Sequence, residues 1–326
     1  MKILLTGGAG YIGSQVANLL IDQGHKVTII DSLVTGHLRL VPKRAKFIKS
    51  DIANRNKIQI LLKKTNFDVV VHFAGLIKVD ESVKKPKKYY SYNFSKAKIF
   101  LDTCIKNGLK NIVFSSTASI YGNSKKSKLK ESAKKNPLNP YAKSKLKLEN
   151  YLITNIKQKK INCIILRYFN VAGSDIKLRT GLIDKKSTHL IKVVCEVASK
   201  KRKILTINGD NYNTKDGTPV RDFIHVVDLA RIHLMMIKHL IKTKKSGIYN
   251  CGYGDGYSVL DIIKSVNKIL KHNINTKIGP KRKGDAPKVI ADITKLKNDF
   301  KWKPKFRNID FIIKSSLSWE KKNARN

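Results

Sequence analysis

Gly7-Gly8-Ala9-Gly10-Tyr11-Ile12-Gly13 follows directly on the apolar run Ile3–Thr6 and opens the helical pattern Ile12–Gln23. Strand, glycine turn and helix in that order begin a nucleotide-binding βαβ unit. Gly7, Gly10 and Gly13 stand three residues apart. Glycine there permits the tight turn, the close approach of backbone to a pyrophosphate, and the contact of helix with strand. The helix start adds N–H groups and a partial positive charge for the phosphates. Glycine turns are common, so the stretch needs a partner, and Asp31 supplies one. It ends the apolar run Lys26–Asp31, 18 residues beyond Gly13. A carboxylate there accepts from both ribose hydroxyls and repels a 2′-phosphate, which favours NAD over NADP. The ordinary alternative for Asp31 is a turn or helix cap. Asp51-Ile52, after a third apolar run, suits adenine binding, with a surface turn as its alternative.

Working outward, the first 170 residues alternate short apolar runs with helical patterns, the mark of a parallel sheet. Strands are expected at Ile3–Thr6, Lys26–Asp31, Ala45–Lys49, Val69–Phe73, Ile112–Ser115 and Asn162–Tyr168. Helices are expected at Ile12–Gln23, Asn56–Thr65, Asn93–Asn107 and Pro140–Gln158. Continuous Val/Ile/Leu/Phe runs fit strands covered on both faces. The fold class is therefore α/β, a Rossmann-type doubly wound parallel sheet. Beyond Asn170, turn-rich stretches at Ala172–Asp184 and Gly209–Pro219 separate helices near Thr188–Ser199, Val227–Leu240 and Ser258–Leu270. Residues 1–170 are expected to form the cofactor domain, with about 205–240 returning to it. Residues 171–326 are expected to form mainly a smaller α/β lid that binds substrate. Lys125–Lys135 reads as a surface loop.

The chain has 326 residues, of which 41% are hydrophobic and 28% charged, a globular composition. No apolar run reaches the roughly 20 residues of a membrane span. The N-terminus runs straight into Lys2–Thr6, too short for a signal peptide, so a cytoplasmic location is expected. Four scattered cysteines without CxxC spacing argue for reduced thiols and against a metal site. A formal charge of +44 invites a nucleic-acid reading. Yet lysine is spread along the whole chain, without a basic tail or interleaved aromatics. Lys, Ile and Asn share AT-rich codons, so genome composition produces this profile, and no specific nucleic-acid partner is expected.

Tyr141 and Lys145 lie four apart behind Pro140, a helix-start residue, so both project from one helical face. An ammonium beside a phenol favours the phenolate and makes it a better general base. In a lysine-rich chain this spacing arises easily by chance. Its weight comes from Phe114-Ser115-Ser116-Thr117, which ends a strand of the same sheet, at the edge where such sheets bind ligands. A Thr117 hydroxyl there shares a substrate proton with Tyr141.

These motifs occur together with His72-Phe73-Ala74-Gly75-Leu76, Thr117-Ala118-Ser119-Ile120-Tyr121-Gly122, Leu166-Arg167-Tyr168-Phe169-Asn170 and Val220-Arg221-Asp222-Phe223-Ile224-His225-Val226. The set, from Met1 to about Trp319, resembles the extended short-chain dehydrogenases and, among them, the UDP-glucose 4-epimerases. The resemblance implies an NAD-dependent isomerase that interconverts UDP-glucose and UDP-galactose through transient oxidation at C4, with NAD tightly held. It implies catalysis by Thr117, Tyr141 and Lys145. It implies an NAD site at Gly7, Gly10, Tyr11, Ile12, Gly13, Asp31, Ser32, Asp51, Ile52, Phe73, Ala74, Gly75, Asn93, Lys145 and Phe169. It assigns the UDP-sugar to Asn170, Leu190, Arg221, Arg282 and Asp285, together with Thr117 and Tyr141. A guanidinium fork matches a diphosphate better than a point charge does. It also implies a homodimer through the helices at Asn93–Asn107 and Pro140–Gln158. Sugar 4,6-dehydratases resemble Thr-Asp-Glu after the serine strand; Thr117-Ala118-Ser119 lacks those acids, which disfavours elimination.

Three positions depart from the pattern. Ile77 stands where a lysine is frequent, with Lys78 one residue later. His189 replaces an asparagine near uracil and either bonds there or caps a helix. Val289 replaces a bulkier tyrosine near the sugar, which leaves UDP-N-acetylhexosamines and UDP-uronic acids as alternative substrates. The alternative of another class is a non-catalytic NAD-binding sensor or scaffold, which needs the glycine loop but no base.

Overall fold

The computed structural model describes residues 1–124, 126–184, 187–282 and 285–324; Lys125, at the head of the expected 125–135 loop, lies outside them. The chain starts with β1 (Lys2–Thr6), α1 (Tyr11–Asp22), β2 (Lys26–Asp31), β3 (Lys46–Lys49), α2 (Arg55–Lys64) and β4 (Val69–His72). It continues with α3 (Val79–Lys84), α4 (Pro86–Tyr90), α5 (Lys96–Lys106), β5 (Asn111–Thr117), α6 (Pro140–Lys157) and β6 (Asn162–Tyr168). Then come β7 (Asn170–Ala172), α7 (Leu190–Ala198), β8 (Leu205–Asn208), β9 (Val220–Arg221), β10 (Phe223–His225), α8 (Val226–Thr243) and β11 (Gly247–Cys251). The last elements are β12 (Tyr257–Ser258), α9 (Val259–Leu270), β13 (Thr276–Gly279), β14 (Lys288–Val289), α10 (Thr294–Phe300) and α11 (Ile309–Ala324).

The chain divides into two compact units. The first comprises Met1–Ile120, Pro137–Arg167 and Ala230–Tyr249; the second comprises Tyr121–Asn136, Tyr168–Leu229 and Asn250–Asn326. Residues 205–229 thus belong to the second unit and 230–249 to the first.

The first unit carries a seven-stranded sheet in the order β11-β6-β5-β4-β1-β2-β3. The pairs β1–β2, β1–β4, β2–β3 and β4–β5 are parallel. β1 is where the strand order reverses, and the carboxyl ends of β1 and β4 are the ligand position of doubly wound sheets. Both faces of β1 and β4 are buried, which explains their unbroken apolar sequences. On one face Leu4, Val70, Phe114 and Ile165 pack with Phe100, Leu101 and Leu148. Each such side chain stabilises the fold by roughly 1.5–3 kcal/mol. α6 starts where Asn139 Oδ1 accepts from Ala142 N at 2.9 Å, with Pro140 in the first turn. The helix expected from Asn93 begins instead at Lys96, after a π-helical turn over Ser91–Ser95. That wider turn leaves Asn93 only 1% exposed, and π turns recur at functional sites.

The second unit holds three small sheets, β10-β7, β12-β9-β14 and β13-β8. α7, α9 and α11 pack against one another. α11, absent from the sequence reading, buries Ile312, Ile313, Leu317 and Trp319. The Trp319 ring occupies the space beside Gly181, where a Cβ would come within 2.5 Å of it. Among the described residues no helix is long and apolar enough to cross a membrane.

Candidate active site

α1 opens at Gly10, with no capping side chain and no acidic residue in its first turn. A helix start of this kind suits an anion. Gly7 lies at φ +72°, and a Cβ there would stand 2.6 Å from Ala74 N. A Cβ on Gly13 would stand 2.3 Å from Gly7 O. These two glycines therefore hold β1, α1 and the loop after β4 at backbone distance. Asp31 accepts from Ala9 N at 3.0 Å and from Leu33 N at 2.8 Å. It does cap a turn, but two bonds use only part of the roughly four acceptor sites of a carboxylate. Burial raises its pKa against the pull of both bonds. Ser32 follows it, half-buried. Asp51 accepts from Ala53 N at 2.9 Å and pairs with Lys96 Nζ at 2.5 Å, beside the buried Ile52. Burial pushes the Asp51 carboxyl up, and the bonds from Lys96 and Ala53 outweigh it and hold the carboxyl low.

At the end of β4, His72 Nδ1 bonds Thr6 Oγ1 at 2.7 Å; burial lowers its pKa to about 3 and keeps it neutral. Phe73 packs against His233 with ring centroids 5.0 Å apart. Asn93 accepts from Leu76 N at 2.7 Å and donates to Leu76 O at 3.0 Å and to Ser144 Oγ at 3.1 Å. It thereby ties the Phe73–Leu76 loop to α6, one residue from Lys145. Gly75 is required there, since its Cβ would lie 2.9 Å from Asn93 Oδ1 and 3.4 Å from Lys145 Nζ.

Thr117 closes β5, and Tyr141 stands in the first turn of α6, where the Thr117 hydroxyl acts on its phenol. Lys145 Nζ donates to Ser115 O at 2.9 Å and stands 5.1 Å from the Phe114 ring centroid. The sequence leads one to expect that Lys145 draws the phenol of Tyr141 down. Instead burial raises the phenol, with the Thr117 bond opposing it. The ammonium is engaged by the strand-end carbonyl and the ring face. Burial also lowers Lys145 to about 8, against the attraction of Glu149. Glu149, four residues on from Lys145, accepts from Ser116 Oγ and from Arg167 Nε (3.1 Å) and Nη2 (2.8 Å). The Arg167 and Glu149 side chains are 1% and 0% exposed.

In the second unit, Phe169 N donates to Cys251 O at 3.0 Å and Asn170 N to Asp222 O at 2.9 Å. Arg221 binds the Asp285 carboxylate through Nη2 and Val220 O through Nη1 at 2.9 Å. Asp285 N donates to Arg282 O at 3.2 Å, and Arg282 itself is exposed. Val289 pairs with Arg221 across β14 and β9. The hydrogen bonds and strand pairing around β9 thus gather Asn170, Arg221, Asp285 and Val289. His189 directly precedes α7, which Leu190 opens, and its side chain makes no cap hydrogen bond; the capping alternative is not the one realised.

The profile of the NAD dependent epimerase/dehydratase family matches residues 3–252. The chain belongs to that family. It is 39% identical over 325 residues to a UDP-glucose 4-epimerase of Lactobacillus helveticus, covering 100% of this chain and 98% of the relative. It is similar to the crystal structure of a UDP-glucose-4-epimerase from Stenotrophomonas maltophila with bound NAD and formylated UDP-arabinopyranose. That match has a TM-score of 0.96 and 31% identity over 100% of this chain and 99% of the other. It is likewise similar to UDP-glucose 4-epimerase from Bifidobacterium longum in complex with NAD+ and UDP, with a TM-score of 0.93, 35% identity and 99% of each chain covered.

Within this epimerase/dehydratase chain the sequence reading missed Ser144, Glu149 and Asp222. Each carried a signal. Glu149 and Ser144 share the helix that bears Tyr141 and Lys145, and an acid facing a sheet needs a buried partner. Asp222 is an acid directly before the apolar pair Phe223-Ile224.

Proposed function

We propose that this chain is an NAD-dependent isomerase that interconverts UDP-glucose and UDP-galactose by transient oxidation at C4. The Thr117 hydroxyl at the end of β5 lowers the Tyr141 phenol on the first turn of α6, and Lys145 of the same helix is anchored on Ser115 O of that strand end; this arrangement carries the reading. A sensor needs no such set, and full-length similarity to UDP-glucose 4-epimerases supports the substrate class.

The cofactor fits the residues present. The uncapped start of α1, the backbone contacts of Gly7 and Gly13, and the remaining acceptor sites of Asp31 suit pyrophosphate and ribose. When bound, NAD supplies the reversible two-electron chemistry at C4 and a positive ring that favours the phenolate. Tyr141 accepts the proton of the 4-hydroxyl at its phenolic oxygen, Thr117 shares it, and Lys145, seated on Ser115 O, places its positive charge at the same strand end. Tyr141 returns the proton to the C4 oxygen as the two electrons and hydrogen taken from C4 come back to the carbon on the opposite face of the turned ring, and that change of face inverts C4. Arg221 and Arg282 hold the diphosphate, and Asn170, Leu190, His189 and Asp285 complete the hold on the nucleotide. Holding UDP and not the sugar leaves the ring free to turn.

Incubating the purified protein with UDP-galactose and assaying UDP-glucose tests the reading; bound NAD without conversion refutes it. Val289, a small residue on β14, favours a second reading in which UDP-N-acetylhexosamines also react, and a panel of UDP-sugars including uronic acids decides between them. A cytoplasmic homodimer completes the proposal. α5 and α6 lie side by side, joined by Tyr151 and Asp102, and offer a two-helix face. Light scattering should report twice the 36.9 kDa chain mass.

A further inference from the structure

Asp222 is the corner between β9 and β10, where the chain leaves one small sheet and enters another. It is 0% exposed. Its own backbone binds two of the residues assigned to the sugar nucleotide: its carbonyl accepts from Asn170 N at 2.9 Å and its N–H donates to Val289 O at 3.2 Å. A third, Arg221, precedes it. Its carboxylate accepts three backbone N–H groups, Tyr253 at 2.8 Å, Gly254 at 2.8 Å and Ala291 at 3.1 Å. Gly252 is needed for this approach, because a Cβ there would meet Asp222 Oδ2 at 2.5 Å. One buried side chain therefore ties β9, β14 and the 252–254 loop into a single frame.

The charged and titratable groups facing it are Asp255, Arg307, Tyr253 and Tyr257. Arg307 is held by a bidentate pair with Asp255 at 2.5 Å and also feels the Asp222 charge. Burial raises Asp222 to about 6, against its three backbone bonds. A folded-state pKa above the unfolded one means that ionised Asp222 costs folding stability at neutral pH.

We propose that Asp222 is a positioning residue for the sugar nucleotide, holding Asn170, Arg221 and Val289 in their binding arrangement through its main chain and carboxylate. The inference rests on the UDP-sugar reading above and deepens it. The ionised form accepts all three N–H groups; a protonated carboxyl presents a donor among donors and loosens the frame.

The test uses the full chain with its bound NAD and compares wild type with Asp222→Asn. UDP-galactose suits it because its diphosphate is a diester without the phosphate-monoester ionisation near pH 6. Asp222→Asn should raise KM about tenfold, the effect of a lost charge-assisted bond, with kcat within about twofold and NAD content unchanged. Wild-type KM should climb as pH falls through about 6, while KM of the variant stays level there. An unchanged KM, or a fall in kcat at constant KM, overturns the proposal. Should the variant not fold, the wild-type profile decides, and a level KM overturns the proposal. A wild type that turns over no UDP-sugar refutes the proposed function instead; calorimetric titration of both proteins with UDP-glucose then still decides on Asp222, equal affinities overturning it.

Discussion

Replacing Glu149 by Ala should destabilise the first unit severely. The carboxylate is fully buried, and its departure takes its two bonds and its charge from the Arg167 guanidinium, 1% exposed, and leaves the Ser116 hydroxyl without its acceptor. Breaking a buried pair from one side costs about 3–5 kcal/mol, a large share of the roughly 5–15 kcal/mol that holds a protein folded. At roughly 2–4 °C per kcal/mol for a large domain, the melting temperature should fall by about 10 °C. Circular-dichroism melts at neutral pH measure this. The double variant Glu149→Leu with Arg167→Met removes both charges and should regain most of the loss. A single variant that melts within about 2 °C of wild type, or a double variant that melts below the single one, refutes the reasoning. A second readout is chemical. Glu149 attracts the Lys145 ammonium, so without it Lys145 should deprotonate at lower pH and the alkaline limb of kcat/KM should move down.

Tyr141→Phe should retain NAD and lose roughly 10²–10⁴-fold or more in kcat, the loss of a general base, measured by conversion of UDP-galactose. Gly13→Ala places a Cβ 2.3 Å from Gly7 O and should yield protein without bound NAD, read from the cofactor released on denaturation. In wild type, burial lowers Lys145 to about 8 from an ordinary 10.5. Its ammonium is present below that pH and lost above it, so kcat/KM should decline above about pH 8, measured across a pH series at fixed ionic strength.

The glycine loop, Asp31 and the Tyr141/Lys145 spacing were legible because they are local. Each is a short run whose backbone demand or helical geometry follows from neighbouring residues. The parallel sheet was legible for the same reason, since strands covered on both faces are written as apolar runs. Less was visible after Asn170. The strands there have two to five residues, too short for periodicity to declare them, and α11 was not anticipated. Nor was the π turn that turns Asn93 inward, because nothing local distinguishes it from α-helix.

The sequence by itself determined the chemistry available: a nucleotide loop, a phenol, an ammonium and two guanidinium groups. Tertiary structure decided their state. Lys145 reaches Ser115 O across 30 residues of sequence, Arg167 reaches Glu149 across 18, and Asp222 collects Tyr253, Gly254 and Ala291 from up to 69 residues away. Ionisation follows burial and such distant partners, neither of which a linear reading contains. The spacing of Tyr141 and Lys145 therefore named the pair proposed to handle the proton, and the fold decided that the phenol is raised and the ammonium tied to a strand end.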